Sequence, residues 1–474
     1  MSQRLKNISS SSHSDHSFKL IEKMQKMEIR SDPEVHPNAK NKEGKRMSLS
    51  SAAFICVVFS FLLLLSNGYF SYGSAGTLRG SYETKYSIVV DCGSTGSRVH
   101  IYEFKKASGA ALPVIENEEF IQLKPGLSSY AENSKDGANS LVPLLDAAVK
   151  AIPKEYHERT PIFVGATAGL RLLPGNQAED LLDAVRDLLK TNYQFSFSPS
   201  TDVQILSGDD EGKFAWIATN MLLGLLFPGA DTVGVVDLGG GSVQMIRAVE
   251  HDEVQFLPPE KILKQRFGLH EVNLYVHSFL NYGLMAARKQ ILKVSGAAKA
   301  CMPYGYQGEK ANYVYGGESV PAVGGPNGNF QGCLSSAVQT LDLDDPCSHN
   351  MCTFDGEWAG KGTEREQFYM LSYIYERIDE TGAGDFDELG GKSSLQRIKD
   401  AARRVCKMGL KELHGVEKTD PEHRPYLCMD MSYIYSLLNV GLGVTGDIHL
   451  AKKFESNGKH FEAAWPLGAA VTKL

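Results

Sequence analysis

Val89-Val90-Asp91-Cys92-Gly93-Ser94-Thr95-Gly96 and Val235-Val236-Asp237-Leu238-Gly239-Gly240-Gly241-Ser242 are two copies of one pattern, a β-branched run that ends in Asp and turns through small residues. A second strand-like run follows each copy, over 98–104 and 243–249, so each unit reads as strand, tight turn, strand. Such a turn exposes consecutive backbone N–H groups with no side chain in front of them, which suits phosphate oxygens, and Ser94, Thr95 and Ser242 add hydroxyl donors. Asp91 and Asp237 suit a hydrated divalent cation, because hard cations take carboxylate and water oxygens. Either unit alone is also a tight hairpin in which Gly adopts positive φ and Asp bonds the turn. Recurrence at a domain-sized offset favours two related lobes, each offering one phosphate turn to a shared cleft. No Gly-x4-Gly-Lys-Ser/Thr run exists, which excludes a P-loop. The turns lead into strands rather than helices, which excludes a dinucleotide-binding fingerprint.

Between and after these units the pattern alternates. Residues 138–152 and 178–190 read as helices, 161–166 and 203–206 as strands, and 232–236 as the first strand of the second unit. Residues 208–227 open with carboxylates and continue with Phe214, Ala218, Met221, Leu222 and Leu225 at helical spacing. Mixed elements of this kind give an α/β class. Two of these segments add to the candidate site. In Gly165-Ala166-Thr167-Ala168-Gly169-Leu170-Arg171 small residues allow close backbone approach and Thr167 can donate to phosphate. In Gly208-Asp209-Asp210-Glu211-Gly212 the macrodipole favours carboxylates, and Glu211 lies in sequence between the two turns, where a base could take a proton from water. Asp209 and Asp210 are expected to raise its pKa by like-charge repulsion.

Net charge is -7, but residues 1–50 hold ten Lys/Arg against six Asp/Glu, so the remainder is acidic and offers no nucleic-acid surface. Residues 1–47, rich in Ser, Lys and His, read as a disordered cytosolic tail. Residues 48–72 carry no charge and are long enough to span a bilayer. Basic residues flank only their N-terminal side, which predicts a signal anchor with a translocated body. The alternative is a signal peptide cleaved after Gly73-Ser74-Ala75. A stem over 73–85 precedes a body that starts near Tyr86. Cys56 and Cys92 read as small apolar residues. Cys301, Cys333, Cys347, Cys352, Cys406 and Cys428 form an even set that suggests disulfides in an exported chain; a zinc site is the rival, without paired ligand spacing.

Taken together these blocks resemble the apyrases, or ecto-nucleoside triphosphate diphosphohydrolases, and most of all the plant apyrases. The resemblance rests on 89–104, 165–173, 205–220, 235–249 and 463–471, with Tyr275-Val276-His277-Ser278, Cys352-Thr353-Phe354 and Pro425-Tyr426-Leu427-Cys428 in addition. It implies two actin-like (ribonuclease H-like) lobes around a central cleft, lobe I from 86–207 and 455–474 and lobe II from 208–454. It implies Glu211 as general base, with Ser242 and Gln244 holding the attacking water. Gly93, Ser94, Thr95, Gly96, Thr167, Ala168, Gly239, Gly240 and Gly241 would bind phosphate, and Asp91 and Asp237 would hold Ca²⁺ or Mg²⁺ through water. Trp216 and Trp465 would pack near the cleft as supports. Tyr375 and Arg424 are candidates for the base. The disulfides implied are Cys301–Cys333, Cys347–Cys352 and Cys406–Cys428. The expected reaction removes terminal phosphates from nucleoside tri- and diphosphates in the Golgi lumen or outside the cell. Alternatives are a Golgi-type diphosphatase preferring GDP or UDP, a sugar kinase of the same superfamily, and a non-catalytic nucleotide-binding actin-like protein.

Overall fold

Eleven residues, Tyr82–Cys92, form the first strand (β1): the continuous β-branched run Ile88-Val89-Val90 suits a strand buried on both faces, and burial falls off toward an N-terminal end that starts exposed at Tyr82 and Glu83. The computed structural model that shows this describes residues 82–93, 95–250, 253–307, 311–347, 352–357 and 367–474. The expected tail, anchor and most of the stem, and also Ser94, lie outside the described residues. The body begins four residues earlier than expected, since Tyr82 to Lys85 pair in register with Ala107 to Phe104. No helix among the described residues is long and apolar enough to cross a membrane.

The first sheet continues with β2 (Ser97–Ala107), β3 (Val114–Leu123), β4 (Ile162–Ala166) and β5 (Val203–Ile205), in the order β3-β2-β1-β4-β5. β1, β2 and β3 pair antiparallel, whereas β4 and β5 join parallel. The second sheet takes β6 (Gly234–Leu238), β7 (Ser242–Ala248), β8 (Ile262–Phe267) and β9 (His270–Leu280). A separate hairpin, β10 (Asn312–Tyr315) and β11 (Glu318–Pro321), comes next in the chain. β12 (Phe368–Ser372), β13 (Gly384–Phe386), β14 (Gly390–Ser393) and β15 (Ile448–Ala451) then complete the sheet in the order β13-β14-β15-β12-β6-β7-β9-β8. A last hairpin pairs β16 (Lys453–Ser456) with β17 (Lys459–Glu462).

Five of these eight strands, β9-β7-β6-β12-β15, repeat the order and polarity of β3-β2-β1-β4-β5. The register repeats too. Asp91 faces Arg98 across the first hairpin, and Asp237 faces Gln244 across the second. On the parallel side Asp91 lies beside Gly165 and Asp237 beside Leu371. The sequence duplication is therefore a duplication of sheet topology, an α/β architecture with two sheets.

Helix Gly208–Leu222 packs on β6, β7 and β9 and against helix Trp465–Thr472, which itself packs on β1 and β2. Their side chains share one buried cluster that includes Val89, Phe163, Trp216, Ile246 and Trp465. The helix expected over 138–152 is broken into Ser134–Asn139 and Val142–Ala151, where Ser140 turns its hydroxyl back to the Gly137 carbonyl and Pro143 opens the second segment. The cysteines pair as Cys301–Cys333, Cys347–Cys352 and Cys406–Cys428, and Cys92 is a free, buried thiol whose burial holds it protonated.

Candidate active site

Both turns close in the same way. Gly93 N–H donates to the Gly96 carbonyl at 3.0 Å, and Gly239 N–H donates to the Ser242 carbonyl at 3.0 Å. Behind the second turn, helix Leu284–Lys293 donates from Leu284 to the Gly239 carbonyl (2.9 Å) and from Met285 and Ala286 to the Gly240 carbonyl (2.9 and 3.1 Å). With the carbonyls occupied there, the N–H groups of Gly240 and Gly241 meet no acceptor among the described residues and remain free for an anion. Gly241 also makes a close approach. A Cβ at that position would stand 2.6 Å from the Cβ of Ala168, so the turn touches the segment that carries Thr167.

A cleft of about 230 Å³ collects these parts. Its lining includes Asp91, Gly93, Thr95, Thr167, Glu211, Asp237, Gly239 and Gly240, and β12 and its following helix add Ser372, Tyr373 and Tyr375. Asp91 and Asp237 end their strands inside it. Asp91 Oδ2 accepts from Arg98 Nη1 at 3.1 Å, and Ser372 lines the cleft beside Asp237. The Oδ1 atom of each carboxylate is buried without a partner. Burial raises both pKa values, that of Asp237 to about 6, with Arg98 opposing the shift at Asp91 and Ser372 opposing it at Asp237. Two orphaned carboxylate oxygens fit a divalent cation. No three His, Cys, Asp or Glu side chains converge as direct ligands among the described residues, so the donors present suit a cation that keeps much of its water.

Glu211 stands in the first turn of its helix, which Ser207 caps by accepting from the Asp210 N–H. Its Oε2 takes Arg171 Nη2 at 2.7 Å and lies 3.4 Å from Gln244 Nε2. Gln244 Nε2 is 2.7 Å from Ser242 Oγ and 3.1 Å from Ser278 Oγ, and Arg171 Nη2 is 3.3 Å from Ser242 Oγ. Burial pushes the Glu211 carboxyl up to about 8. Arg171 opposes that shift, and the charges of Asp237 and Asp91 add to it. This corrects the expectation about Asp209 and Asp210. Asp210 is spent on Ser207 and Lys213, and the like charges that act on Glu211 come from the two strand ends.

Thus Glu211 from its helix and Ser242 and Gln244 from β7 form one hydrogen-bonded group. Gly93, Thr95, Thr167, Gly239, Gly240 and both aspartates line the same cleft as Glu211, whereas Gly96, Ala168, Gly241, Ser242 and Gln244 stand outside its lining. Ser94 lies outside the described residues. Trp465 lines the cleft and packs its indole under Gly165, whereas Trp216 is wholly buried in the core. Tyr375 lines the cleft. Arg424 does not: its guanidinium bonds the Thr419 and His414 carbonyls, and it is absent from the lining. Sequence reasoning passed over Arg171, Ser278, Ser372 and Arg98. The last had a signal, since it stands at the same ladder position as Gln244.

A family model described as GDA1/CD39 (nucleoside phosphatase) matches residues 78–474. The chain is 42% identical over 412 residues to "Probable apyrase 1" of Oryza sativa subsp. japonica, covering 83% of this chain and 82% of that protein. It is 39% identical to "Apyrase 1" of Arabidopsis thaliana (81% and 84% covered) and 33% identical to "Ectonucleoside triphosphate diphosphohydrolase 5" of Ailuropoda melanoleuca (83% and 88% covered). Among solved structures, nucleoside triphosphate hydrolases from Neospora caninum share the fold at a TM-score of 0.57 and 15% identity, over 88% of this chain and 96% of that one. With its duplicated turns, its buried Glu211 and a match that spans nearly the whole described body, the chain belongs to the GDA1/CD39 family and is a nucleoside phosphatase.

Proposed function

We propose that the chain is an apyrase that hydrolyses nucleoside tri- and diphosphates to monophosphate and phosphate, by water attack on the terminal phosphorus. The observation that carries this is the Glu211 carboxylate inside the cleft, hydrogen-bonded into one group with Gln244 and Ser242. In this reading Ser242 and Gln244 hold a water and Glu211 takes its proton as the new P–O bond forms. The bond to the departing nucleoside phosphate breaks, and that group leaves with its negative charge. Thr95, Thr167 and the N–H groups of 94–96, 168, 240 and 241 grip the phosphate oxygens, while those of Gly93 and Gly239 close the turns, so catalysis is mainly positioning and charge neutralisation. Asp91 and Asp237 hold Ca²⁺ or Mg²⁺ through water; when bound, the cation neutralises phosphate charge. Tyr375 offers a face to the nucleoside base.

Residues 1–47 are proposed to be cytosolic and 48–72 to anchor the body in a membrane, facing the Golgi lumen or the cell exterior. Three disulfides support an oxidising compartment. Phosphate release from ATP, ADP, GDP, UDP and AMP, with and without chelator, tests the activity. Tri- and diphosphates should react and AMP should not, with loss in chelator and recovery on adding Ca²⁺ or Mg²⁺. Undiminished turnover in excess chelator defeats the cation role, and inert ATP and ADP defeat the apyrase reading. Turnover of GDP and UDP alone selects the diphosphatase.

A further inference from the structure

The duplication puts an arginine at the same point of each half. Gly165 lies beside Asp91 and Leu371 beside Asp237, so Arg171 and Arg377, each six residues further on, are counterparts. Arg171 serves Glu211. Arg377 turns elsewhere, with its Nε 2.9 Å from Asp430 Oδ2, its Nη1 2.5 Å from Glu380 and its guanidinium over the Tyr373 ring at 5.3 Å. Asp430 also takes Arg288 side-on, Nε to Oδ1 at 2.7 Å and Nη2 to Oδ2 at 2.5 Å. Arg288, Arg377 and Asp430 are at most 1% exposed.

Each arginine rides on a helix that builds the site. Arg288 belongs to Leu284–Lys293, whose first N–H groups hold the Gly239 and Gly240 carbonyls. Arg377 belongs to Tyr373–Glu380, which brings Tyr373, Tyr375 and Glu376 to the cleft. That helix starts from Ser372, a non-glycine residue at φ 53° that pairs with Leu238 next to Asp237 and lines the cleft with it. Such a backbone persists only where its surroundings over-determine it. Three buried charges are a poor source of stability, since apolar side chains of equal volume avoid their desolvation. What they supply is direction, because a side-on guanidinium–carboxylate pair fixes both partners in plane.

We propose that Asp430 is a positioning residue: with Arg288 and Arg377 it braces the Gly239–Gly241 turn and Asp237 against each other. This rests on the reading of that turn as a phosphate grip and of Asp237 as a cation holder. The test uses the full chain, Arg377→Lys (charge kept, planar fork lost) and the apolar triple variant Arg288→Met/Arg377→Met/Asp430→Leu. Melting temperature, kcat and KM well below melting, and Mn²⁺ affinity by electron paramagnetic resonance are measured for each. Both variants should lose about ten-fold in Mn²⁺ affinity and in kcat per folded molecule, the usual effect of disturbing an outer-shell partner. A folded variant with wild-type Mn²⁺ affinity and kcat reduces the cluster to core filling and overturns the proposal; if the triple variant does not fold, Arg377→Lys decides alone. Wild-type protein that binds no Mn²⁺, or binds it equally well as Asp237→Asn, defeats the cation reading instead. The brace is then judged on kcat per folded molecule, where an unchanged value overturns it.

Discussion

Glu211→Gln separates what the carboxylate does from what its burial costs. Without a bound cation, burial lifts its pKa from 4.5 to about 8. The folded chain therefore holds this proton more tightly than the unfolded chain does. The resulting stabilisation is complete below pH 4.5 and is lost as pH rises toward 8. At pH 7 the loss is about 3 kcal/mol, from 1.36 kcal/mol per pH unit between the unfolded pKa and pH 7. Gln keeps the shape and has no proton to release on unfolding. In chelator at pH 7 the variant should be stabler by about 3 kcal/mol, or roughly 4 °C in melting temperature for a body of this size. Near pH 4 the difference should vanish. Activity should move the opposite way, with kcat lower by about 10² to 10⁴-fold, the usual range for losing a general base, and KM changed far less. Thermal melts across pH and phosphate release from ATP check both halves. Near wild-type turnover would mean that another group orients the water. A variant less stable than wild type at pH 7 would mean that the Arg171 pair outweighs burial.

Arg171→Gln removes the opposing charge, so the acid limb of kcat/KM should shift to higher pH, and Arg171→Lys should recover part of the shift; identical pH profiles for all three proteins would deny Arg171 any hold on Glu211. Gly241→Ala places a methyl 2.6 Å from the Ala168 Cβ and should raise KM for nucleotide about ten-fold, equivalent to ~1.4 kcal/mol of lost grip. An unchanged KM would show that the turn does not hold phosphate. In sealed microsomes, added protease should leave 82–474 intact and remove 1–46, as an N-terminal anchor requires, and digestion of the body would exclude the exported topology.

How much of this was legible depended on whether the signal was local. The two turns could be read because Asp followed by Gly-rich residues after a β-branched run has few other uses, and the repeat fixed their equivalence. Helix Gly208–Leu222 was legible from its acidic start and apolar spacing, and it ends five residues early because Gly224 takes φ 70°. β12 and β15 were not read. Their neighbours lie far off in the chain, and nothing in Phe368–Ser372 announces a counterpart of β4. Arg171 carried no local signal of its own at the end of its small-residue segment; only the tertiary approach of Glu211 gives it a partner. Arg424 failed for the same reason reversed, since a basic residue beside a family-like block gave no hint that local carbonyls would claim it.

The chemistry sits where the two copies differ. Both turns close through equivalent hydrogen bonds of equal length, and both present an aspartate with one unpartnered oxygen. The frame is therefore symmetric, which suits gripping a chain of phosphates from two sides. Gly96 corresponds to Ser242 and Arg98 to Gln244. On the first turn, the cation Arg98 leans on Asp91 and offsets its charge. On the second, a neutral hydroxyl and a neutral amide stand beside Glu211. Arg171 already supplies one guanidinium to Glu211, and a second at position 244 would lower its basicity further and compete for the same oxygen, whereas the neutral hydroxyl and amide leave it free to take a proton. Since Glu211 has a hydroxyl–amide pair on one turn only, the proposed attack is one-sided: water meets the terminal phosphate from the second turn, and the first serves to hold it there.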